Sequence, residues 1–206
     1  MGALAALFGA WMMLGASSVA AGDALDPRAL KGSNAVRAAQ QQLKQEGQIY
    51  AVVAIEAQRL YLMQDGRLLK AYPVSTSAFG PGEQEGSNQT PLGLHRIKQK
   101  IGEGEPQGMI FKARKPTGRM ANIIAEPRDV PEDDVTTRIM WLDGMEPGVN
   151  QGGKVDSYKR YIYIHGTPEE GLVGRPASHG CVRMLNADVV DVFNKLPEGT
   201  LVYITP

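Results

Sequence analysis

A thiol and two imidazoles lie close together in the second half of the chain. Cys181 is the only cysteine among the 206 residues, and it sits in the string Ser178-His179-Gly180-Cys181-Val182-Arg183. His165 precedes it, followed by Gly166, and the stretch between them carries Gly171, Gly174, Pro168 and Pro176. A segment of that composition reads as a loop able to bring its two ends together. At neutral pH a free thiol of pKa about 8.5 is only a few per cent thiolate. A neighbouring imidazole corrects this by taking the proton, and can later hand it to a leaving group. Gly180, just before the thiol, lets a substrate approach the backbone, where N–H groups can hold a developing oxyanion. Residue types and spacing therefore point to thiol–imidazole acyl transfer. Taken singly, each histidine reads as structural and the cysteine as a small buried hydrophobe. His165, His179 and Cys181 are also of metal-ligand type, but no further Cys lies near them in sequence to complete a site.

The whole constellation resembles the signature of the L,D-transpeptidase (YkuD-type) catalytic domain family. That signature is a histidine, a loop, then Ser/Thr-His-Gly-Cys, an aliphatic residue, and Arg or Asn. Thr90-Pro91-Leu92-Gly93 is similar to the family's Thr-Pro-x-Gly strand entry, and Asp65-Gly66 to its early hairpin. The resemblance runs from about Ile49 to Ile204. It implies Cys181 as nucleophile and His165 as general base and acid. His179 and Gly180 would shape the thiolate environment and the oxyanion site. Ser178 would orient the loop, and Arg183 would pair with a substrate carboxylate. The implied partners are peptidoglycan stem peptides, with no cofactor and no metal. The implied reaction exchanges the terminal D-amino acid of a tetrapeptide stem or joins the third residues of two stems. With water as acceptor, the same chemistry gives an L,D-carboxypeptidase. A non-catalytic cell-wall-binding module keeping the fold is the reading from another class. His95 departs from the family, which usually shows an aromatic residue there, and is read as packing.

The elements that would hold these residues are mostly strands. Tyr50–Ile55 is a short apolar run rich in strand formers, and Asp65-Gly66 separates the strand-like runs 59–64 and 67–75, a two-residue hairpin signal. Thr90–Ile97 reads as a turn entering a strand, and Ile139–Leu142 and Tyr161–Ile164 as further strands. Trp141, Tyr161 and Tyr163 are expected in the core. Asn186 is placed to cap a helix over 187–196, and Leu201–Ile204 closes the fold as a strand. Residues 102–138, broken by Gly and Pro, read as a functional lid or binding loop, and Glu132-Asp133-Asp134 as a solvated loop. The expected fold is mostly β (α+β), a β-sandwich-like catalytic domain over residues 49–206. A short N-terminal helix within the 22–48 linker, capped by Ser33, precedes it, and one late helix completes it.

Charge excludes one class of partner: 22 Lys plus Arg balance 22 Asp plus Glu, so there is no basic excess of the kind that binds nucleic acid. The first charged side chain is Asp23. Ala3–Leu14 is apolar, and Ser18-Val19-Ala20 offers small residues at signal-peptidase spacing. Residues 1–21 therefore read as a cleaved signal peptide, or as a membrane anchor if uncleaved. Either puts the domain in the periplasm or cell envelope, as an expected monomer. A lone cysteine cannot form an internal disulfide there.

Overall fold

The computed structural model describes Gln41 and residues 47–206; the expected leader over 1–21 and most of the linker with its helix lie outside these residues. Three strands begin the domain: β1 (Ile49–Ala54), β2 (Arg59–Gln64) and β3 (Arg67–Ser75). They form an antiparallel meander. The β2–β3 turn is Asp65-Gly66, with φ of 47° and 72°. Both residues are left-handed, as a primed two-residue turn requires.

Next in the chain come β4 (Gly93–Ile101), β5 (Met109–Lys112), β6 (Lys115–Met120), β7 (Val135–Gly144), β8 (Tyr163–Gly166) and β9 (Val182–Met184). Helix α1 (Asn186–Lys195) and β10 (Leu201–Thr205) end the domain, and short 3-10 turns lie at Gly153–Val155 and Glu170–Leu172. The sheet order is β4-β10-β1-β2-β3-β9-β8-β7, and β4 also pairs with β7. The expected mostly β architecture is thus present, and the sheet closes on itself as a barrel-like ring. Closure removes the unpaired edges that an open sheet presents.

The core follows from the period of two. Every strand of the ring sends residues to one cluster, among them Val53, Leu62, Val74, Ile97, Leu142, Ile164, Val182 and Ile204, and α1 adds Val189, Val192 and Phe193. Each such side chain, removed from water, contributes about 1.5–3 kcal/mol of transfer free energy. The opposite face of β1 and β2 is also apolar, with Tyr50, Val52, Tyr61 and Met63 buried. That is why β1 reads as a continuous apolar run instead of an alternating one.

Three expectations change. Residues 102–138 are not a single loop: they contain the β5–β6 hairpin, which pairs through Ile110 and Phe111 with the start of β7. The hairpin escaped notice because its turn, Ala113-Arg114, lacks the usual Asn-Gly chemistry although both residues have positive φ. Tyr161 precedes β8 instead of opening it; it has a φ of 58° and is 52% exposed, whereas Trp141 and Tyr163 are buried as expected. Asn186 does not cap α1, because its side chain points into the domain. Its amide nitrogen donates to the Thr167 carbonyl and Glu170, and its oxygen accepts from the Thr136 and Thr137 hydroxyls.

Candidate active site

Two adjacent strands assemble the site. β8 and β9 run parallel, with Ile164 opposite Val182 and His165 opposite Arg183. Side chains alternate across a sheet. Ile164, Val182 and Met184 therefore enter the core, and Tyr163, His165, Cys181 and Arg183 share the other face. Parallel strands need a long crossover, which here is the segment from Thr167 to Gly180. The loop expected between the histidine and the thiol is that crossover.

On this face Cys181 is half-buried. Its Sγ receives the Tyr163 backbone N–H at 3.3 Å and lies 3.4 Å from the Tyr161 carbonyl oxygen, toward which the thiol proton can point. Burial pushes the thiol up to about 12, and the Asp133 charge adds to the rise; the Tyr163 N–H and the Arg183 and Arg160 cations oppose it. His165 is 2% exposed, and its Nδ1 lies 2.7 Å from the Gly166 carbonyl oxygen. A carbonyl only accepts, so Nδ1 carries the proton and Nε2 keeps the lone pair of a base. Burial lowers the imidazole to about 4, against the raising effects of Asp133 and the Gly166 carbonyl. The resting pair is a neutral thiol and a neutral imidazole.

The string before the thiol is held by its own polar atoms. Ser178 Oγ donates to the Cys181 carbonyl at 2.6 Å and accepts the Gly180 N–H at 3.2 Å. The amide of Gly180 is thus engaged within the loop. The glycine contributes its backbone shape: its φ is 118°, and an added Cβ would lie 3.2 Å from the Gln89 carbonyl oxygen. Thr90, the first residue of the Thr-Pro-x-Gly element, donates to the Gly180 carbonyl at 3.0 Å and accepts from Ser77 N. That element secures the nucleophile loop from the opposite side.

Electrostatics correct one expectation. Arg183 does not offer its guanidinium outward: its side chain is 1% exposed and pairs with Glu169 at 2.8 Å and Asp133 at 2.7 Å. Asp133 lies in an exposed loop, as read, yet its carboxylate is partnered. Its second oxygen meets His179 Nδ1 at 2.9 Å, so it ties His179 to Arg183 beside the thiol. Burial alone would raise its carboxyl. Arg183, His165 and the hydrogen bonds from His179 and Arg183 outweigh that and hold it below the usual range. Glu169, fully buried, also accepts the Val130 N–H at 2.6 Å, anchoring the segment that delivers Asp133. The run Glu132-Asp133-Asp134 was the only sequence signal for this role, and Asp134 pairs elsewhere, with Lys112. His95 is buried; its Nδ1 donates to Gly93 O at 3.0 Å and its Nε2 faces Ser157 Oγ at 2.9 Å. It is a buried packing residue. Among the described residues, no three His, Cys, Asp or Glu side chains gather as a metal ion requires.

An aromatic wall borders the thiol. Trp141 stacks on Tyr158 at 4.0 Å between ring centroids, and meets Tyr163 edge-on at 5.5 Å and Tyr161 at 5.6 Å. Cys181 packs against the buried cluster that includes Trp141 and Tyr163.

A half-buried thiol and a buried, neutral imidazole thus share one sheet face bordered by aromatics. The sequence matches the model of the L,D-transpeptidase catalytic domain family over residues 48–204. The chain belongs to that family. It is 40% identical over 62 residues to a Bacillus licheniformis protein named "Putative L,D-transpeptidase YkuD", a match covering 28% of this chain and 38% of that protein. It is 52% identical over 46 residues to "Putative L,D-transpeptidase YqjB" of Bacillus subtilis, covering 22% and 26%. The chain thus spans well under half the length of these curated relatives. Among solved structures, it is similar to an L,D-transpeptidase from Xylanimonas cellulosilytica at 19% identity and a TM-score of 0.48, covering 79% of this chain and 63% of that one.

Proposed function

We propose that the protein is a cysteine-dependent L,D-transpeptidase acting on peptidoglycan tetrapeptide stems through a thioester on Cys181. The observation that supports this reading is the shared face of β8 and β9, which carries both a neutral imidazole with its lone pair on Nε2 and a neutral thiol. As Sγ attacks the L-centre carbonyl of the third stem residue, His165 takes the thiol proton, and a C–S bond forms to a tetrahedral oxyanion. Collapse breaks the C–N bond, and the terminal D-amino acid leaves with the proton from His165. An amine of a second stem, or a free D-amino acid, then attacks the thioester, giving its proton to His165 and regenerating the thiol. One amide replaces another, so no ATP and no cofactor are needed. Tyr163 N–H supports the sulfur while charge develops. Ser178 and Gly180 fix the loop, and Asp133, His179 and Arg183 set its charge. Residues 1–21 direct the domain to the periplasm or cell envelope, where its substrate lies.

The test is to incubate the full chain with a disaccharide-tetrapeptide, with and without an added D-amino acid, and to follow products by mass spectrometry. A cross-linked dimer or an exchanged terminal residue supports transpeptidation. A tripeptide alone assigns water as the acceptor, making the enzyme an L,D-carboxypeptidase. Cys181→Ala should abolish turnover, and His165→Ala should lower it by about 10²-fold or more. Normal turnover by Cys181→Ala would sink both enzymatic readings and leave a wall-binding module.

A further inference from the structure

Three non-glycine residues with positive φ, at two places in the chain, converge on one side chain. The β5–β6 turn places Ala113 at φ 46° and Arg114 at φ 66°, and Tyr161 has φ 58°. None is glycine, and a bulky residue with positive φ persists only where its surroundings hold it there. Here the turn lays the Arg114 guanidinium across the aromatic wall, 4.7 Å from the Trp141 ring and 5.0 Å from the Tyr161 ring. One of its N–H groups reaches the Tyr163 hydroxyl at 3.2 Å.

The arginines around the thiol differ in what they already hold. Arg183 is paired with Asp133 and Glu169, and Arg160 donates to the Gly82 and Gln89 carbonyls. Arg114 is only partly covered, and among the described residues its hydrogen-bond partner is a phenol, with no carboxylate in ion-pair range. A guanidinium offers five N–H donors in a planar fork that matches a carboxylate, and stacking on aromatics pre-organises that fork. Its distance from the chemistry is bounded by Tyr161: the carbonyl of that residue lies 3.4 Å from Sγ, and its ring lies under the guanidinium. The α-carboxylate of the leaving residue follows directly on the scissile amide and stays near the thiol. Arg114 stands one tyrosine side chain further out. That is the reach of a carboxylate at the far end of a long side chain on the acyl-donating residue.

We propose that Arg114 is a specificity-determining residue that pairs with a side-chain carboxylate of the acyl-donor stem, selecting donors that carry this charge over neutral or amidated ones. This rests on the acyl-transfer reading of Cys181, and the experiment separates the two. Synthetic tetrapeptide donors differ only in the end of the third residue's side chain, free carboxylate or carboxamide. Thioester formation on Cys181 is followed by intact-protein mass spectrometry for the wild type and Arg114→Gln. Binding of both donors to Cys181→Ala, with and without Arg114→Gln, is followed by calorimetry. The wild type should prefer the carboxylate donor by about 10-fold or more in both thioester formation and binding, the span of a hydrogen bond to a charged group. Arg114→Gln should erase the preference while leaving the carboxamide donor unchanged. A preference that survives Arg114→Gln overturns the proposal. So does an equal loss for both donors, which would make Arg114 a clamp for the hairpin. If no donor forms a thioester yet the binding preference tracks Arg114, the catalytic reading fails and the carboxylate site stands.

Discussion

Asp133→Asn separates a solvated loop carboxylate from one that braces the site. The substitution keeps the shape and removes the charge that faces Arg183 and His179. The Arg183 contact, 2.7 Å from a guanidinium whose side chain is 1% exposed, is an ion pair with a buried partner, and losing it costs about 1.5–3 kcal/mol. Glu169 remains on the other nitrogen, which keeps the cost below that of a fully orphaned buried charge. The His179 contact, with that side chain 51% exposed, adds at most about 1 kcal/mol. At roughly 2–4 °C per kcal/mol for a domain of this size, the melting temperature should fall by roughly 3–16 °C. Scanning calorimetry at pH 7 measures it, with His179→Ala as the control that loses only the exposed contact. The Asp133 carboxyl is held below the usual range, so its contribution is complete above its ordinary pKa. That contribution fades as the pH falls through the lowered value. The gap between wild type and Asp133→Asn should therefore narrow in strong acid. Because the Asp133 charge also raises the thiol, alkylation of Cys181 should be faster in Asp133→Asn. A melting temperature shifted by less than 1 °C, with unchanged alkylation, would refute the bracing role.

Two other outcomes follow from single features. His165 and His95 are both lowered to about 4 by burial, so the unfolded chain binds more protons than the folded one between about pH 6.5 and 4. Stability should be full above that window and fall through it, by on the order of 3 kcal/mol per histidine at its acid end; urea unfolding that is equally stable at pH 7 and pH 4 contradicts the buried, neutral imidazoles. Gly180→Ala forces a Cβ onto a φ of 118° and against the Gln89 carbonyl, and should slow thioester formation at least about 10-fold and lower the melting temperature by roughly 2–12 °C; wild-type acylation kinetics would show that the loop shape is not needed.

The fold was legible where local chemistry and tertiary need agree. Asp65-Gly66 demanded a primed turn and formed one, and the apolar runs at Tyr50 and Leu201 became β1 and β10. It was illegible where the backbone adopts conformations its residues do not favour. Ala113-Arg114 makes a hairpin without glycine, and Tyr161 leaves the strand that its side chain suits. Asn186 looked like a cap because caps and buried cross-links use the same amide. Only the positions of Thr136, Thr137 and Thr167 decide between them. In the site, the string from Ser178 to Arg183 was readable because its residues are adjacent in sequence. The partners of Arg183 were not, since Asp133 and Glu169 arrive from other segments and the closure of the ring sets their distance.

The electrostatics of the thiol and imidazole give the lone cysteine a further consequence. A thiol raised to about 12 and an imidazole lowered to about 4 form no resting ion pair. Thiolate is the form that reacts with oxidants, binds metals and attacks disulfides, so a protonated thiol is shielded while the site waits. The same burial that protects it also opposes the proton transfer that starts acylation, and that cost must be met when substrate is present. The Tyr163 N–H already faces the sulfur, and the Arg160 and Arg183 cations lower the thiol against burial, so the groups that favour thiolate are in place before the substrate arrives. A bound stem excludes water and strengthens each of those interactions. Reactivity toward a peptide donor should then exceed reactivity toward a small alkylating agent by far more than in a site whose thiolate is formed in advance. A comparison of the two rates across pH 6–9 distinguishes the cases. The neutral pair predicts alkylation that climbs with pH without a plateau, and a thiolate formed in advance predicts one already flat.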